Sequence, residues 1–142
     1  MNKKYELTNE TQVFFGRTLY RIRALISFGN VKAGDLGGWI EKEENLAQDG
    51  DAWVSGDARV YGNAWVERCT HYLLIGAIGS RADFTTFMRS KDRKIIVACG
   101  CFRGTIDEFE AKVKETHGDS KHAKAYMAAI ELAKIQIDDV EV

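Results

Sequence analysis

The feature that most constrains this chain is a six-residue repeat. From residue 49 it reads Asp49-Gly50-Asp51-Ala52-Trp53-Val54, then Ser55-Gly56-Asp57-Ala58-Arg59-Val60, then Tyr61-Gly62-Asn63-Ala64-Trp65-Val66. The pattern x-Gly-[Asp/Asn]-Ala-x-Val holds three times, and Glu43 to Gln48 is a degenerate copy with Asn45-Leu46 in register. Ala and Val two residues apart point the same way from a short strand, and Gly-Asp or Gly-Asn supplies a corner. One Ala and one Val per six residues is the period of a triangular β-solenoid with three hexads to a coil. A β-meander with a chance period is the alternative, and three matches at four positions argue against it. Thirteen glycines and no proline agree with a chain that turns its corners on Gly, Asp and Asn.

One coil cannot bury its own interior, so it must stack on something. Ahead of it, Tyr20, Ile22, Ala24, Ile26 and Phe28 fall on alternate positions with Arg21 and Arg23 between, the pattern of a half-buried strand, and Phe15-Gly16-Arg17 is a tight turn before it. After residue 70 the pattern changes to three strands over 72–78, 83–89 and 94–100, with Ser90 to Arg93 as a charged turn. Thr105 and Glu108 then form a capping box, and Ile106, Phe109 and Val113 make a helical stripe. Gly118 stops that helix, Asp119 or Ser120 caps the next, and Tyr126, Met127, Ile130 and Ala133 are its buried face to about Ile135. The predicted fold class is α+β: an N-terminal β segment, residues 1–70, with a short triangular solenoid-like coil, and a C-terminal segment, residues 71–142, with an antiparallel meander and two helices. No linker separates them, so they pack as one unit. A lone coil with an apolar open end predicts a homo-oligomer.

With 142 residues, 45% apolar and 29% charged, the chain has the balance of a folded domain. No apolar run approaches the ~20 residues of a membrane span, and the polar start, Met1 to Glu6, is followed by no apolar stretch that would make a secretory signal. Three cysteines, an odd count, point to a reducing cytoplasm. The net charge of −1 hides four blocks: +3 over residues 1–42, −4 over 43–70, +4 over 71–104 and −4 over 105–142. Without a broad positive excess to release counterions, general nucleic-acid binding is disfavoured. The third block can still hold a local anion site.

The residues for such a site are Ser80, Arg81, Thr85, Thr86, Arg89, Arg103, Gly104 and Thr105. Cys99-Gly100-Cys101-Phe102-Arg103-Gly104-Thr105 leads a strand into a capped helix; its glycines let backbone approach a ligand, and first-turn N–H groups favour an anion. Arg103 adds a bidentate donor for phosphate. In a meander, Ser80, Arg81, Thr85, Thr86 and Arg89 would share one sheet edge with this segment. The plainer account is an ordinary helix start and solvated arginines. No phosphate-loop or dinucleotide spacing is present. Cys69, His71, Cys99, Cys101, His117 and His122 lack structural zinc spacing, and burial of Cys99 and Cys101 on one strand face is the simpler reading, so no metal or other cofactor is assigned. No nucleophile elbow supports a Cys101–His catalytic pair. Trp53 and Trp65, at equivalent hexad positions, are expected to pack against the N-terminal strand or another subunit rather than stack on a ligand.

Gly34-Asp35-Leu36-Gly37-Gly38-Trp39-Ile40, the following Glu44-Asn45-Leu46 and the Tyr-Gly-Asn-Ala-x-Val unit resemble small phage and prophage proteins with hexapeptide, or "polymer-forming", left-handed β-helix-like repeats, with Thr18 to Ala24 as the lead-in strand. The resemblance covers about residues 12–66. Hexapeptide acyltransferases share the coil but have many coils, a loop excursion and a catalytic His; here His71 alone lies nearby. The resemblance implies a phage-type setting in the host cytoplasm. Together with the anion-friendly segment, it leads us to expect a non-enzymatic protein that sequesters a small anionic ligand such as a host immune nucleotide. Two alternatives stand beside it: a protein-binding inhibitor of a host defence complex, similar to an anti-CRISPR, contacting through the acidic 43–70 block or a helical face, and a nucleotide-processing enzyme.

Overall fold

A computed structural model describes residues 3–100 and 102–141. The N-terminal half forms a four-stranded sheet in the order β1 (Tyr5–Phe14), β2 (Arg17–Ala24), β3 (Leu36–Ile40), β4 (Arg59–Val60). The β1–β2 hairpin turns at Phe15 and Gly16, as the tight-turn expectation has it, although no clear alternation marks β1 itself in the sequence. β2 ends at Ala24, so Ile26, 44% exposed, falls outside it.

The hexads form the coil. β3 runs parallel to β4 with Ile40 beside Val60, and Leu46 bridges Val66 in parallel, so positions one turn apart stack directly. Ile40, Leu46, Ala52, Val54, Ala58, Val60, Ala64 and Val66 are all 0% exposed. Each buried Val contributes about 1.5–3 kcal/mol of transfer free energy, and six-residue spacing brings every one to the same interior. Gly50, Gly56 and Gly62 all take positive φ at the corners, where a side chain would be strained. Gly37 answers a different need: a Cβ there would lie 2.6 Å from the Trp53 ring and 2.7 Å from the Val54 carbonyl. Trp53 is 9% exposed and meets the Phe28 ring edge-on, so it packs against the N-terminal segment, whereas Trp65 stays partly exposed under Arg89.

The second sheet is the antiparallel meander β5 (Tyr72–Ile78), β6 (Asp83–Arg89), β7 (Ile95–Cys99), β8 (Phe102–Thr105). Strand alternation gives it two apolar faces. Met88, Ala98, Ile96, Tyr72 and Leu74 join the coil core, while Phe87, Ile95, Val97, Leu73 and Ile75 pack under α1 (Ile106–His117) and α2 (Lys121–Gln136). The second sheet of the same chain therefore packs on the coil core. One strand goes beyond the sequence expectation: after β7 the chain folds back and pairs on it as the hairpin strand β8, and it is β8 that leads directly into α1. Cys101, expected to share a buried face with Cys99, lies outside the described residues. The capping box forms as expected, with Thr105 Oγ1 accepting from the Glu108 N–H at 3.2 Å and the Thr105 N–H donating to Glu108 Oε1 at 2.8 Å. Gly118 ends α1 and Ser120 caps α2. No helix among the described residues is long and apolar enough to cross a membrane.

Candidate functional site

The eight residues of the sequence-based site do not come together. Thr85 and Thr86, as neighbours on β6, face opposite sides of the sheet. Thr85 is buried and donates to Cys99 Sγ at 3.1 Å; Thr86 is buried and its Oγ1 accepts the Arg59 N–H at 3.0 Å. Arg89 is 6% exposed and fully engaged, donating to the Trp65 carbonyl at 2.8 Å and to Glu67 Oε1 at 2.9 Å. Ser80 and Arg81 sit at the β5–β6 turn, on a cavity of their own. Arg103, Gly104 and Thr105 remain together.

These three line a cleft of about 450 Å³ between β8 and the coil, with Arg17, Lys42, Tyr61, Asn63 and Glu108. Arg17 arrives from the β1–β2 turn and Lys42 from the chain just after β3, so three separate elements each bring a cation to one mouth. Arg17 is already held bidentately by Glu41, at 2.9 and 3.0 Å, and Glu41 also accepts the Gly62 N–H. Arg103 and Lys42 have no carboxylate partner among the described residues. Arg103 lies 5.4 Å from the centroid of the exposed Phe15 ring, a cation–π contact that orients its guanidinium. Tyr61 forms the floor and donates to the Val97 carbonyl at 3.2 Å; burial pushes its hydroxyl above the ordinary range, while Arg103 and Arg17 pull it back.

The helix start contributes less than the sequence suggests. The capping box already occupies the N–H of Thr105 and of Glu108, and those contacts hold the Glu108 carboxyl below its ordinary range. An anion here would be held by the side-chain cations and the Thr105 hydroxyl. Sequence reasoning missed Arg17 and Lys42; the available signal was that Arg17 follows a tight turn and Lys42 follows the Trp39-Ile40-Glu41 run.

Among the described residues no three His, Cys, Asp or Glu side chains converge as a metal site requires. Burial pushes the Cys99 thiol up, so it stays protonated and is a poor nucleophile.

Comparison with known proteins gives one distant relation. Over 60 residues the chain is 37% identical to "Uncharacterized acetyltransferase YdcK" of Escherichia coli (strain K12), a match that takes in 37% of this chain and 18% of that protein. The chain thus aligns with under a fifth of its curated relative. The relation is to a protein of hexapeptide-repeat type, in keeping with the coil. No family model matches the chain, and no solved structure matches it.

Proposed function

We propose that this chain is a binding protein for a small phosphate-bearing ligand of the nucleotide class, held in the cleft between β8 and the coil. The observation that carries the reading is the convergence of Arg17, Lys42 and Arg103 on one cleft, with Arg103 and Lys42 unpaired by any described carboxylate. Charge-assisted hydrogen bonds are the strong ones, and an arginine fork suits phosphate. A binder needs only these contacts, whereas group transfer would need a base or nucleophile beside them. Glu108 is tied into its capping box, and Cys99 lines the other cavity. In a phage-type setting such a protein would sequester a host signal; the exposed thiol of Cys69 suits a reducing cytoplasm.

Calorimetry against linear and cyclic nucleotides tests this. Arg103→Ala should weaken binding by about ten- to a hundredfold, from roughly 1.5–3 kcal/mol per charge-assisted contact, with unchanged melting. Ligand recovered after denaturation should be chemically unaltered; a recovered product would make the protein an enzyme. A second reading, an inhibitor that docks on a host defence complex, is favoured by Glu43, Glu44, Asp49 and Asp57 on the acidic block, all of them exposed. If no nucleotide gives heat and reversing these charges abolishes activity, the interface replaces the cleft.

A further inference from the structure

The cavity that received Ser80 and Arg81 shares no lining residue with the phosphate cleft. It lies between the β5–β6 turn, the end of β7, α1 and the start of α2, and has a volume of about 240 Å³. We propose that it binds a planar six-membered aromatic ring carrying a carboxylate.

The floor selects the ring. Phe102, Phe109 and Tyr126 form a continuous aromatic surface, with centroids 5.3 Å apart for the first pair and 5.5 Å for the second. His117 stacks on Tyr126 at 5.6 Å and 27° and closes one side. Such surfaces favour edge-to-face or offset contact with another ring. The volume is below the roughly 300–1,000 Å³ of sites for drug-sized ligands, so it has room for one ring and a short substituent.

The mouth selects the charge. Arg81 is exposed and has no carboxylate partner among the described residues, and Lys112 reaches only Glu115, at 4.0 Å. The carboxylate in the lining, Asp83, turns Oδ1 back onto the Phe84 N–H at 2.9 Å. Within the lining two cations therefore stand against one carboxylate, with Glu115 meeting Lys112 from outside it.

A buried hydroxyl supplies a further anchor. Tyr126 is 7% exposed, yet its hydroxyl lies 3.5 Å from the Ile78 carbonyl and 3.8 Å from Cys99 Sγ, both long against the ~2.7–2.8 Å of a good O–H···O bond. Gly79, at φ +86, carries the turn past it; a Cβ there would sit 1.9 Å from the Tyr126 oxygen. The hydroxyl is thus held only by long contacts, on a residue that lines the cavity, and can donate to a ring substituent or carboxylate.

The test is an amide-shift titration of the full chain with benzoate, benzylamine and acetate as probes. Benzoate at millimolar concentration should move the amides of Arg81, Gly100 and His117, while benzylamine and acetate should not. Arg81→Gln, a surface change, should weaken benzoate at least about tenfold, and Tyr126→Phe severalfold. Arg103→Ala should leave it unchanged, which separates this site from the phosphate cleft. No benzoate shift at these amides, equal shifts from benzylamine, or an unaffected Arg81→Gln titration would each overturn the proposal. If Tyr126→Phe perturbs packing, the exposed Arg81 variant still decides.

Discussion

Asn45 and His71 do the same work at two corners of the coil, one before and one after the three hexads. Asn45 Oδ1 accepts the N–H groups of Glu41 and Lys42 at 3.2 and 3.0 Å; His71 Nδ1 accepts those of Glu67 and Arg68 at 3.1 and 3.2 Å. The flanking sequence repeats too, Trp39-Ile40-Glu41-Lys42 against Trp65-Val66-Glu67-Arg68. The two corners differ in what lies beyond them. Asn45 Nδ2 donates onward to the carbonyls of Gly62 and Ala64 in the next turn of the coil. His71, with Nδ1 accepting and its proton on Nε2, donates instead to Asp139 Oδ2 at 2.8 Å in the C-terminal tail.

Removing the first pin should be costly. Asn45→Ala strands backbone groups at a 0% exposed position, each worth about 1–3 kcal/mol when left unsatisfied. Urea unfolding should show a loss of several kcal/mol on that scale. His71→Asn, which keeps an acceptor for the two N–H groups, should be milder than His71→Ala; equal losses would show that the acceptor role contributes nothing.

The coil interior has no slack. Gly37→Ala places a methyl 2.6 Å from Trp53 and 2.8 Å from Ile22, so it should cost about 1–3 kcal/mol by overpacking. Val60→Asp puts an unpaired charge at a fully buried site and should cost on the order of 3–5 kcal/mol, giving insoluble protein. A soluble Val60→Asp variant with native melting would be incompatible with a packed coil.

Arg89 should behave as a structural residue. Arg89→Ala leaves Glu67 and the Trp65 carbonyl without their donor, so it should lower the denaturation midpoint. It lines neither cavity, so nucleotide affinity of the remaining folded protein should match wild type. Loss of affinity at unchanged stability would return Arg89 to the ligand site.

Acid should release the tail first. His71, then Arg68, holds the Asp139 carboxyl below its ordinary range. A group whose pKa is depressed on folding stabilises the fold above its unfolded pKa and loses that contribution as pH falls through the folded value. The protection factor of the Asp138 amide, whose N–H bonds the Thr70 carbonyl, should therefore fall on acidification ahead of those of the coil amides. Asp139→Asn should exchange fast at neutral pH and show a flatter acid response.

Features that depend on a local period or a local cap are legible in the chain alone. Ala and Val at six-residue spacing mark the coil interior, alternation places β5 to β7 to within a residue, and Thr105 with Glu108 marks the start of α1. Part of the site is legible too: neighbouring residues of a strand point to opposite faces, so alternation by itself separates Thr85 from Thr86. Long-range packing supplies the rest. Arg89 is an ordinary exposed arginine in a sequence until β6 docks on the coil and brings Glu67 and the Trp65 carbonyl to it. Arg17, Lys42 and Arg103 come from distant segments with no shared period, and only the packing of β8 against the coil makes them one cleft. His71 and Asp139 likewise meet through the closure of the tail, a long-range contact whose partners carry no signal in their own neighbourhoods.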